Sequence, residues 1–389
     1  MLKQISLLIL CAVAIVLFAT PVHACTSAVV SGKVTLDGRP LLWKNRDTDF
    51  MRNHVDYVKG ERYDFIAVVN SANAYLKEAW MGTNSAGFAL MNTQSYNLVD
   101  VKGDEERGAA NGRVIYRALE VCATVEDFCH FLDTISKPSD IEANFGVIDA
   151  QGGAAMFEVD YYKYVMYDAN NPKDAPYGYI ARTNFSFAGK VNEGAGYVRY
   201  MEADQVLMKA SATGNITPQF IFNDLSRSFR NRMLDIDLRS GGYNRPQASG
   251  WFIDQDFIPR SSTSCSVVVQ GVKPGVKAEL TTMWTLLGYP PTGIAVPLWV
   301  KDAGKLLPGM VRFNREHEAA LLSDWSLRLA DRVFSYKQGM GTGRYLNWER
   351  LYSPGKGDGY MTVITEVEDE VFRTTKPLLE ELSLIHISE

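Results

Sequence analysis

A cysteine near the start of the chain could carry both parts of a nucleophilic reaction on one residue. Cys25 follows Ala24 at the end of an apolar leader and opens a β-branched segment, Cys-Thr-Ser-Ala-Val-Val. If the bond between Ala24 and Cys25 is cut, the thiol and a free α-amine lie on the same residue. Their ordinary pKa values, about 8.5 and about 7.7–8.0, are close enough for the amine to take the thiol proton near neutral pH. Such a residue can attack a carbonyl carbon without a histidine.

The first 24 residues have the pattern of a secretory signal peptide. Lys3 gives a positive start, residues 7–19 form an apolar run, and Ala24 is a small residue at the predicted cut. The apolar run is shorter than the ~20 residues that a membrane-spanning helix needs, although an uncleaved anchor is the alternative. We therefore expect residues 1–24 to be a signal peptide. The mature chain is expected in the periplasm or outside the cell, without stable insertion in a membrane.

Two other interpretations of Cys25 stay open on the sequence alone. One is a lipid-modified cysteine that anchors a non-catalytic lipoprotein, although Val-His-Ala-Cys lacks the leucine that such a motif prefers in its first place. The other is a structural cysteine. Cys122 and Cys129 lie two turns apart on one predicted helix, too far apart to bridge each other, so we expect them, like Cys265, to be core residues. The five histidines fall in no catalytic motif, which favours an amine as the base.

A charged cluster closes the second predicted strand. After an Asp-Gly turn signal at residues 37–38, this strand ends in a Lys-Asn-Arg-Asp run, and a hairpin would return that end to the start of the chain. Polar groups that close an apolar strand are costly unless they are exposed or paired. In a functional interpretation, Asp47 accepts a hydrogen bond from the Cys25 amine, and Lys44 or Arg46 binds a substrate carbonyl or carboxylate. The alternative is a solvated loop with an Arg–Asp pair.

These motifs together resemble the N-terminal-nucleophile superfamily of linear-amide hydrolases. The superfamily includes choloylglycine hydrolases (bile salt and penicillin V amidases), isopenicillin N acyltransferase-like peptidases and secreted dipeptidases that begin Cys-Thr. The resemblance is specific over residues 25–95 and diffuse afterwards. It implies an α+β fold, a four-layer αββα sandwich with two antiparallel sheets between helix layers. It also implies cleavage of linear amide C–N bonds through a cysteine thioester, with a dipeptidase or an acyltransferase of the same fold as alternatives.

The resemblance implies roles for individual residues near the start of the chain. Cys25 matches the nucleophile, and Asp47 matches the aspartate of the family signature Arg-Asn-x-Asp. Lys44 stands where many members have arginine, and an ammonium lacks the planar fork that binds a carboxylate through two parallel hydrogen bonds. An alternative register, Arg46-x-x-Asp49, restores the arginine but loses the asparagine, so we rank it second.

The same resemblance implies an oxyanion hole built from two asparagines. Residues 82–92 resemble the family segment GxNxxGLxxxxxN, whose last asparagine is Asn92 here. Asn184, in a Thr-Asn pair, would complete the hole, and Arg260 is a candidate for a supporting arginine late in the chain. Losing one oxyanion donor costs ~3 kcal/mol of barrier. As lone residues, the two asparagines are also typical of turns, and Arg260 is equally typical of a protein surface.

The elements that must position these residues follow from hydrophobic periodicity. Strands are predicted at residues 26–31, 40–45, 65–70, 87–92, 144–149, 154–159, 164–167, 266–270, 281–287 and 294–300. Helices are predicted at residues 112–135 with a break near Thr124, 197–210, 217–229 with Thr217 as cap and Pro218 in the first turn, and 316–336. Runs of strands followed by runs of helices indicate α+β layering rather than a repeating βαβ sheet.

Composition and motif content give no indication of a nucleic-acid partner, a metal site or a cofactor. The chain of 389 residues has a net charge of -5 and no basic run with interleaved aromatic residues, so we expect no nucleic-acid partner. We find no metal-spaced Cys/His set and no phosphate-binding loop, and we expect no cofactor. Residues 25–381 are predicted to form one domain that acts on a small-molecule amide, with homo-oligomerisation left open. Residues 382–389 break the preceding helical pattern and are expected to be a non-native tail.

Overall fold

The computed structural model describes residues 24–99, 108–240, 250–254, 256–335, 345–353 and 355–385. The predicted leader, apart from Ala24, lies outside the described residues. The strands are β1 (Cys25–Val30), β2 (Leu41–Asp47), β3 (Asn53–Val58), β4 (Phe65–Asn70), β5 (Met81–Asn84), β6 (Ala89–Gln94), β7 (Ala143–Ile148), β8 (Ala154–Val159), β9 (Tyr164–Asp168), β10 (Tyr179–Arg182), β11 (Arg230–Asn231), β12 (Ile236–Asp237), β13 (Trp251–Ile253), β14 (Thr263–Gln270), β15 (Thr282–Leu287), β16 (Ala295–Leu298) and β17 (Tyr345–Asn347). The helices are α1 (Asn111–Val121), α2 (Val125–Thr134), α3 (Tyr197–Ser211), α4 (Pro218–Phe220), α5 (Ala303–Leu306), α6 (Leu321–Val333), α7 (Trp348–Leu351) and α8 (Tyr360–Ile385).

Two antiparallel sheets form the centre of the fold. The first sheet has the strand order β10-β1-β2-β14-β15-β16, so β2 is enclosed between β1 and β14. The second sheet runs in chain order from β3 to β9, each strand pairing with the next. Antiparallel pairing of strands that follow each other in sequence explains the second sheet, and α1 and α2 lie in the connection between β6 and β7. The first sheet instead joins segments from both halves of the chain.

The sheets pack face to face and bury a shared apolar layer. Side chains alternate along a strand, so Val29 and Leu42 of the first sheet meet Met91 and Met156 of the second. A Cβ atom at Gly146 of β7 would lie 2.8 Å from Leu42 Cδ1 and 2.9 Å from Val29 Cγ2 of the first sheet, so glycine permits the two sheets to approach this closely.

Helices cover the outer face of each sheet. α3 and α8 pack on the first sheet through Leu207 and Phe372, which share a core with Trp43. α1 and α2 pack on the second sheet through Ile115 and Phe128. The resulting order of helix, sheet, sheet and helix confirms the predicted α+β, four-layer αββα sandwich. Among the described helices, none is both long and apolar enough to cross a bilayer.

Local signals located several element boundaries correctly. The helix predicted over residues 112–135 is α1 followed by α2, with the break at Thr124. Thr124 Oγ1 accepts a hydrogen bond from the Asp127 N–H at 3.0 Å, and the Asp127 carboxylate accepts one from the Thr124 N–H at 3.0 Å. This reciprocal capping box starts a new helix at that point.

Two predicted helices are shorter than expected. The helix predicted over residues 217–229 is α4, capped by Thr217, followed by a π-helical turn, Ile221–Ser226. The helix predicted over residues 316–336 is α6, which begins only at Leu321 because Glu318 has a φ of 50°, outside the helical region. The sequence analysis did not predict the strands β3, β5, β10, β11, β12, β13 and β17 or the short helices α5 and α7, and it noted the helical pattern of α8 without giving its bounds. Helix α8 extends to Ile385 and so includes part of the doubtful tail, of which residues 386–389 lie outside the described residues.

A buried ion pair joins α8 to the first sheet. The side chains of Arg227 and Glu368 are 1% and 0% exposed, and two hydrogen bonds of 2.7 and 2.8 Å connect them. Glu368 also accepts a hydrogen bond of 2.7 Å from the Ala295 N–H at the start of β16. Each of these two buried charges is therefore neutralised by the other.

We expect Glu368→Leu to lower the free energy of unfolding by about 3–5 kcal/mol, because it leaves the Arg227 guanidinium buried without its partner. Urea denaturation measures this loss. Glu366→Leu changes an exposed residue of the same helix and is the matched control, expected within about 0.5 kcal/mol of the parent. Equal unfolding free energies for the two variants would contradict a structural role for the pair.

Candidate active site

Cys25 is the first residue of β1 and is 5% exposed. It pairs with Arg46 of the neighbouring strand β2. Because side chains alternate along a strand, the Cys25 side chain points between the two sheets, as that of Val29 does. Its backbone nitrogen donates a hydrogen bond of 2.9 Å to Asn184 Oδ1. Its carbonyl oxygen accepts one of 2.6 Å from Arg199. Both backbone groups of the predicted nucleophile are thus held by side chains.

Arg199 is a site residue that the sequence analysis missed. It lies in the first turn of α3, is 1% exposed, and donates from Nη1 to Cys25 O and to Thr26 Oγ1 and from Nη2 to Asn184 Oδ1. A Cβ atom at Gly196 would lie 2.5 Å from Nη2, so the glycine makes room for the guanidinium. The one available signal was an arginine in a first helical turn, where the helix dipole favours acidic residues.

Asn184 faces Cys25 with its carbonyl oxygen rather than with its amide nitrogen. Oδ1 accepts from the Cys25 nitrogen and from Arg199, each at 2.9 Å. Nδ2 donates to the Gln94 carbonyl oxygen at 2.9 Å. This orientation differs from the predicted role as an oxyanion donor, because the amide nitrogen is engaged by the backbone of β6. The geometry makes Asn184 a positioning residue for the Cys25 nitrogen.

Asp47 lies on the face of β2 opposite to Lys44 and Arg46. One of its carboxylate oxygens accepts a hydrogen bond from a side chain, and the other has no hydrogen-bond partner among the described residues. Oδ1 accepts a hydrogen bond of 2.6 Å from Thr263 Oγ1, and the Asp47 N–H donates to the Ala24 carbonyl oxygen at 2.8 Å. Within the residues that the structure describes, the buried Oδ2 has no hydrogen-bond partner. The predicted hydrogen bond from the Cys25 nitrogen to Asp47 is not made here, because that nitrogen donates to Asn184.

Burial raises the pKa of Asp47 to about 6, opposed by the charges of Arg260 and Arg199. Arg260, the predicted supporting arginine, lies with Nη1 3.9 Å from Asp47 Oδ2 and 3.3 Å from Asp256 Oδ1. Asp256 also accepts a hydrogen bond of 3.0 Å from Arg199 Nε. Arg260 therefore lies close to the Asp47 carboxylate and is connected to Arg199 through the Asp256 carboxylate. Asp49, the aspartate of the second register, is exposed, which favours the register that ends at Asp47.

Lys44 points between the sheets and joins them. It is 2% exposed, and Nζ donates to Asn92 Oδ1 on β6 at 2.9 Å and to the Trp80 carbonyl oxygen at 3.1 Å. Burial lowers the pKa of Lys44 to about 8, and the neighbouring charge of Arg46 lowers it further, while Cys25 opposes the shift. Asn92 thus lies beside Lys44, with its side-chain oxygen turned toward the ammonium.

Arg46 lies two residues further along β2 on the same face and is 3% exposed. Nη1 donates to Asn53 Oδ1 at 2.7 Å, and the guanidinium carbon lies 4.4 Å from the centre of the Trp80 ring. Burial lowers the pKa of Arg46 to about 10. On its other side Arg46 pairs with Cys265 of β14, so the strand β2 separates two thiols.

Cys265 is a buried free thiol, as the sequence predicted, and burial raises its pKa. Its backbone is two strands from that of Cys25, about 9.5 Å apart at the usual strand spacing. This separation is too large for a disulfide. Cys265 therefore adds a neutral sulfur, not a charge, to the space between the sheets.

Comparison with known proteins gives one family match and several distant structural matches. One family model matches part of the chain, and it agrees with the resemblance to amide hydrolases and acyltransferases that the sequence suggests. The matching family model is that of acyl-coenzyme A:6-aminopenicillanic acid acyl-transferase, and it covers residues 35–219. The matched segment contains Lys44, Asp47, Asn92 and Asn184 and begins after Cys25.

The comparison with solved structures found three amide-cleaving enzymes, each with low identity and a low TM-score. A mutant conjugated bile acid hydrolase from Clostridium perfringens has 13% identity and a TM-score of 0.39, over 72% of this chain and 93% of that chain. A penicillin V acylase from Agrobacterium tumefaciens has 15% identity and a TM-score of 0.37, over 70% and 86%. An N-acylethanolamine-hydrolyzing acid amidase ortholog from Caenorhabditis elegans has 16% identity and a TM-score of 0.34, over 52% and 89%. A search of curated proteins found no match.

We expect Lys44→Arg to move the alkaline limit of amide-cleaving activity to higher pH. The Lys44 ammonium is lost as the pH rises through its lowered pKa of about 8, whereas a guanidinium stays charged. The measurement is kcat/KM as a function of pH. Lys33→Arg, at an exposed position, is the control and should leave the profile unchanged. An alkaline limb at the same pH in Lys44→Arg and in the parent would contradict a role for the Lys44 charge.

Proposed function

We propose that the chain is an exported amidase whose nucleophile is the Cys25 thiol after removal of residues 1–24. The observation that carries this proposal is the 2.9 Å hydrogen bond from the Cys25 nitrogen to Asn184 Oδ1. In this bond, Asn184 Oδ1 is the hydrogen-bond acceptor for the nitrogen atom that would become the catalytic base. The leader pattern supports export to the periplasm or the medium, and the substrate is a small acyl amide.

The surroundings of the bond between Ala24 and Cys25 support a free amine at this position. The Ala24 carbonyl oxygen accepts a hydrogen bond from the Asp47 N–H, so the residue before Cys25 lies beside Asp47. Asp47 Oδ2 is buried and lacks a hydrogen-bond partner in the described part of the chain. An α-amine on Cys25 carries more protons than the peptide nitrogen, and these can serve Asn184 and Asp47 together. The sequence-based role of Asp47 is therefore kept within the proposal.

The reaction proceeds in two displacements. The amine takes the thiol proton, the thiolate attacks the amide carbonyl carbon, and the carbonyl oxygen becomes an oxyanion. When the intermediate collapses, the C–N bond breaks, the leaving amine receives the proton from the Cys25 ammonium, and a thioester remains. Water then gives a proton to the amine and attacks the thioester. The carboxylic acid leaves, and the proton returns to the thiol.

Asn92 and Lys44 are placed to stabilise the oxyanion. The hydrogen bond from Lys44 Nζ to Asn92 Oδ1 fixes the orientation of the Asn92 amide. Its Nδ2 makes no hydrogen bond to the described residues and is free to donate to a substrate oxygen. Preorganised donors of this kind supply the largest stabilisation of acyl-transfer intermediates. Asn184 acts instead on the Cys25 nitrogen.

Acyl transfer is the second candidate, because the matching family model is named for an acyl-transferase. The steps are the same up to the thioester, after which a second amine replaces water. Supplying free amines and measuring the ratio of new amide to carboxylic acid separates the two. Cleavage of unblocked dipeptides would select the dipeptidase alternative.

The test uses the exported protein and its Cys25→Ala variant with a panel of acyl amides. Intact mass should give a chain that starts at Cys25, and a trapped thioester mass on that residue. Cys25→Ala should lose roughly 10³-fold or more in turnover, the scale seen when an essential nucleophile is removed. Cys122→Ala is the matched control, since burial raises the pKa of Cys122 to about 12 and keeps it a thiol.

Two results would overturn this proposal. Residues retained ahead of Cys25 in the active protein would leave no amine to act as base. A diacylglycerol adduct on the Cys25 sulfur would instead support the lipoprotein alternative. The enclosed position of Cys25, at 5% exposure between two sheets, speaks against such an adduct.

A further inference from the structure

We propose that Asp256 is a positioning residue that keeps Arg260 away from Asp47 Oδ2 and so leaves this oxygen available to the Cys25 amine. The inference rests on the proposed amidase function and adds to it a residue that the sequence analysis did not single out. Asp256 lies in the connection between β13 and β14.

The first observation is that one oxygen of Asp256 serves two arginines. Oδ1 accepts a hydrogen bond of 3.0 Å from Arg199 Nε, and it lies 3.3 Å from Arg260 Nη1. Arg199 is 1% exposed and donates to the Cys25 carbonyl oxygen and to Asn184 Oδ1. A buried guanidinium is costly without a counter-charge. Asp256 supplies that charge to the arginine that holds the backbone of the proposed nucleophile.

The second observation is the gap between Arg260 and Asp47. Arg260 Nη1 lies 3.9 Å from Asp47 Oδ2, whereas a charged hydrogen bond between such groups is about 2.7–2.9 Å long. The same nitrogen is closer to Asp256, at 3.3 Å. Asp256 therefore competes with Asp47 for Arg260. Without the Asp256 charge, a movement of about 1 Å would let Arg260 occupy Asp47 Oδ2.

The third observation is the backbone of Asp256 itself. Its φ of 56° lies in the left-handed region, which side chains other than glycine adopt rarely and which aspartate and asparagine tolerate best. The next two residues, Phe257 and Ile258, are buried and anchor the chain beyond this turn. Such conformations persist where the surrounding structure fixes them, and they are common at functional sites.

The Asp256 charge also acts on the protonation of Asp47. The titratable and charged groups around these two carboxylates are Cys25, Lys44, Arg199, Asp254, Arg260 and Tyr289. Burial raises the pKa of Asp47 to about 6, Arg260 and Arg199 oppose this shift, and Asp256 adds to it. Loss of the Asp256 charge and approach of Arg260 would both lower the pKa of Asp47. Both would also disfavour the protonated form of the Cys25 amine.

The test is Asp256→Asn in the exported enzyme, assayed with the acyl amide that it turns over best. Asparagine tolerates the left-handed backbone and can still accept a hydrogen bond from Arg199. We expect kcat to fall roughly tenfold or more, because Asp47 Oδ2 is no longer available to the amine. KM should change little, since Asp47 lies on the face of β2 that points away from the space between the sheets. The acid limb of the kcat–pH profile should move down by about 1 pH unit.

Two further variants make the result specific. Asp235→Asn is the matched control, because Asp235 is exposed and also has a left-handed backbone, with a φ of 51°. It should leave both kcat and the pH profile unchanged. In an Arg260→Gln background, Asp256→Asn should cost far less in kcat than in the parent, because no guanidinium remains to occupy Asp47 Oδ2. Thermal unfolding of each variant checks that the fold is retained.

The outcomes separate the two levels of the proposal. A parent-like kcat and pH profile in Asp256→Asn would overturn the role of Asp256, while the amidase proposal stands. An equal cost of Asp256→Asn with and without Arg260 would also overturn it. So would a loss of kcat at every pH that accompanies a lower unfolding temperature, which would make Asp256 a structural residue. No turnover and no thioester on Cys25 with any amide in the parent would instead refute the amidase proposal, and the role of Asp256 with it.

Discussion

The register between β1 and β2 determines which chemical groups share the space between the two sheets. Cys25 pairs with Arg46 and Ser27 pairs with Lys44, so a thiol, an ammonium and a guanidinium point to the same side. A slip of one residue would turn both cations to the outer face, where Trp43 packs against the helices. Because β14 pairs with the other edge of β2, the register is fixed from both sides. The site is therefore a consequence of how this sheet is assembled.

Signals within a short stretch of sequence predicted the elements whose ends depend on their own residues. The capping box at Thr124 divided two helices, Thr217 capped a third, and apolar runs located β4 and β8. Strand β10 had no comparable signal, because its four residues become a strand only by pairing with β1. Helix α6 began later than its apolar pattern suggested, since the backbone at Glu318 leaves the helical region. Periodicity indicates which face is apolar, and it does not fix where a backbone turns.

The difference between local signals and long-range packing also explains which site residues the sequence predicted and which it missed. Cys25, Lys44 and Arg46 could be found because a hairpin connects them over a short stretch of chain. Arg199 is 174 positions from the carbonyl oxygen that it binds, and no spacing rule covers such a contact. The orientation of Asn184 was also inaccessible, because its amide is turned by hydrogen bonds to three separate segments. A sequence shows which side chains are suited to a reaction, whereas tertiary packing determines which of their atoms face the substrate.

The concentration of positive charge around Cys25 agrees with the requirement for a neutral amine. In the proposed enzyme the α-amine is a base only when it is unprotonated, and nearby cations disfavour its charged form. Arg199 lies on the hydrogen-bond acceptor of the Cys25 nitrogen itself, and Arg46 lies across the strand. The Asp47 carboxylate has the opposite effect, because a nearby negative charge favours the protonated amine and so makes the amine a stronger base. The buried Asp47 carboxylate and the buried cations therefore act on the Cys25 amine in opposite directions, and in the proposed enzyme their balance keeps the amine available as a base.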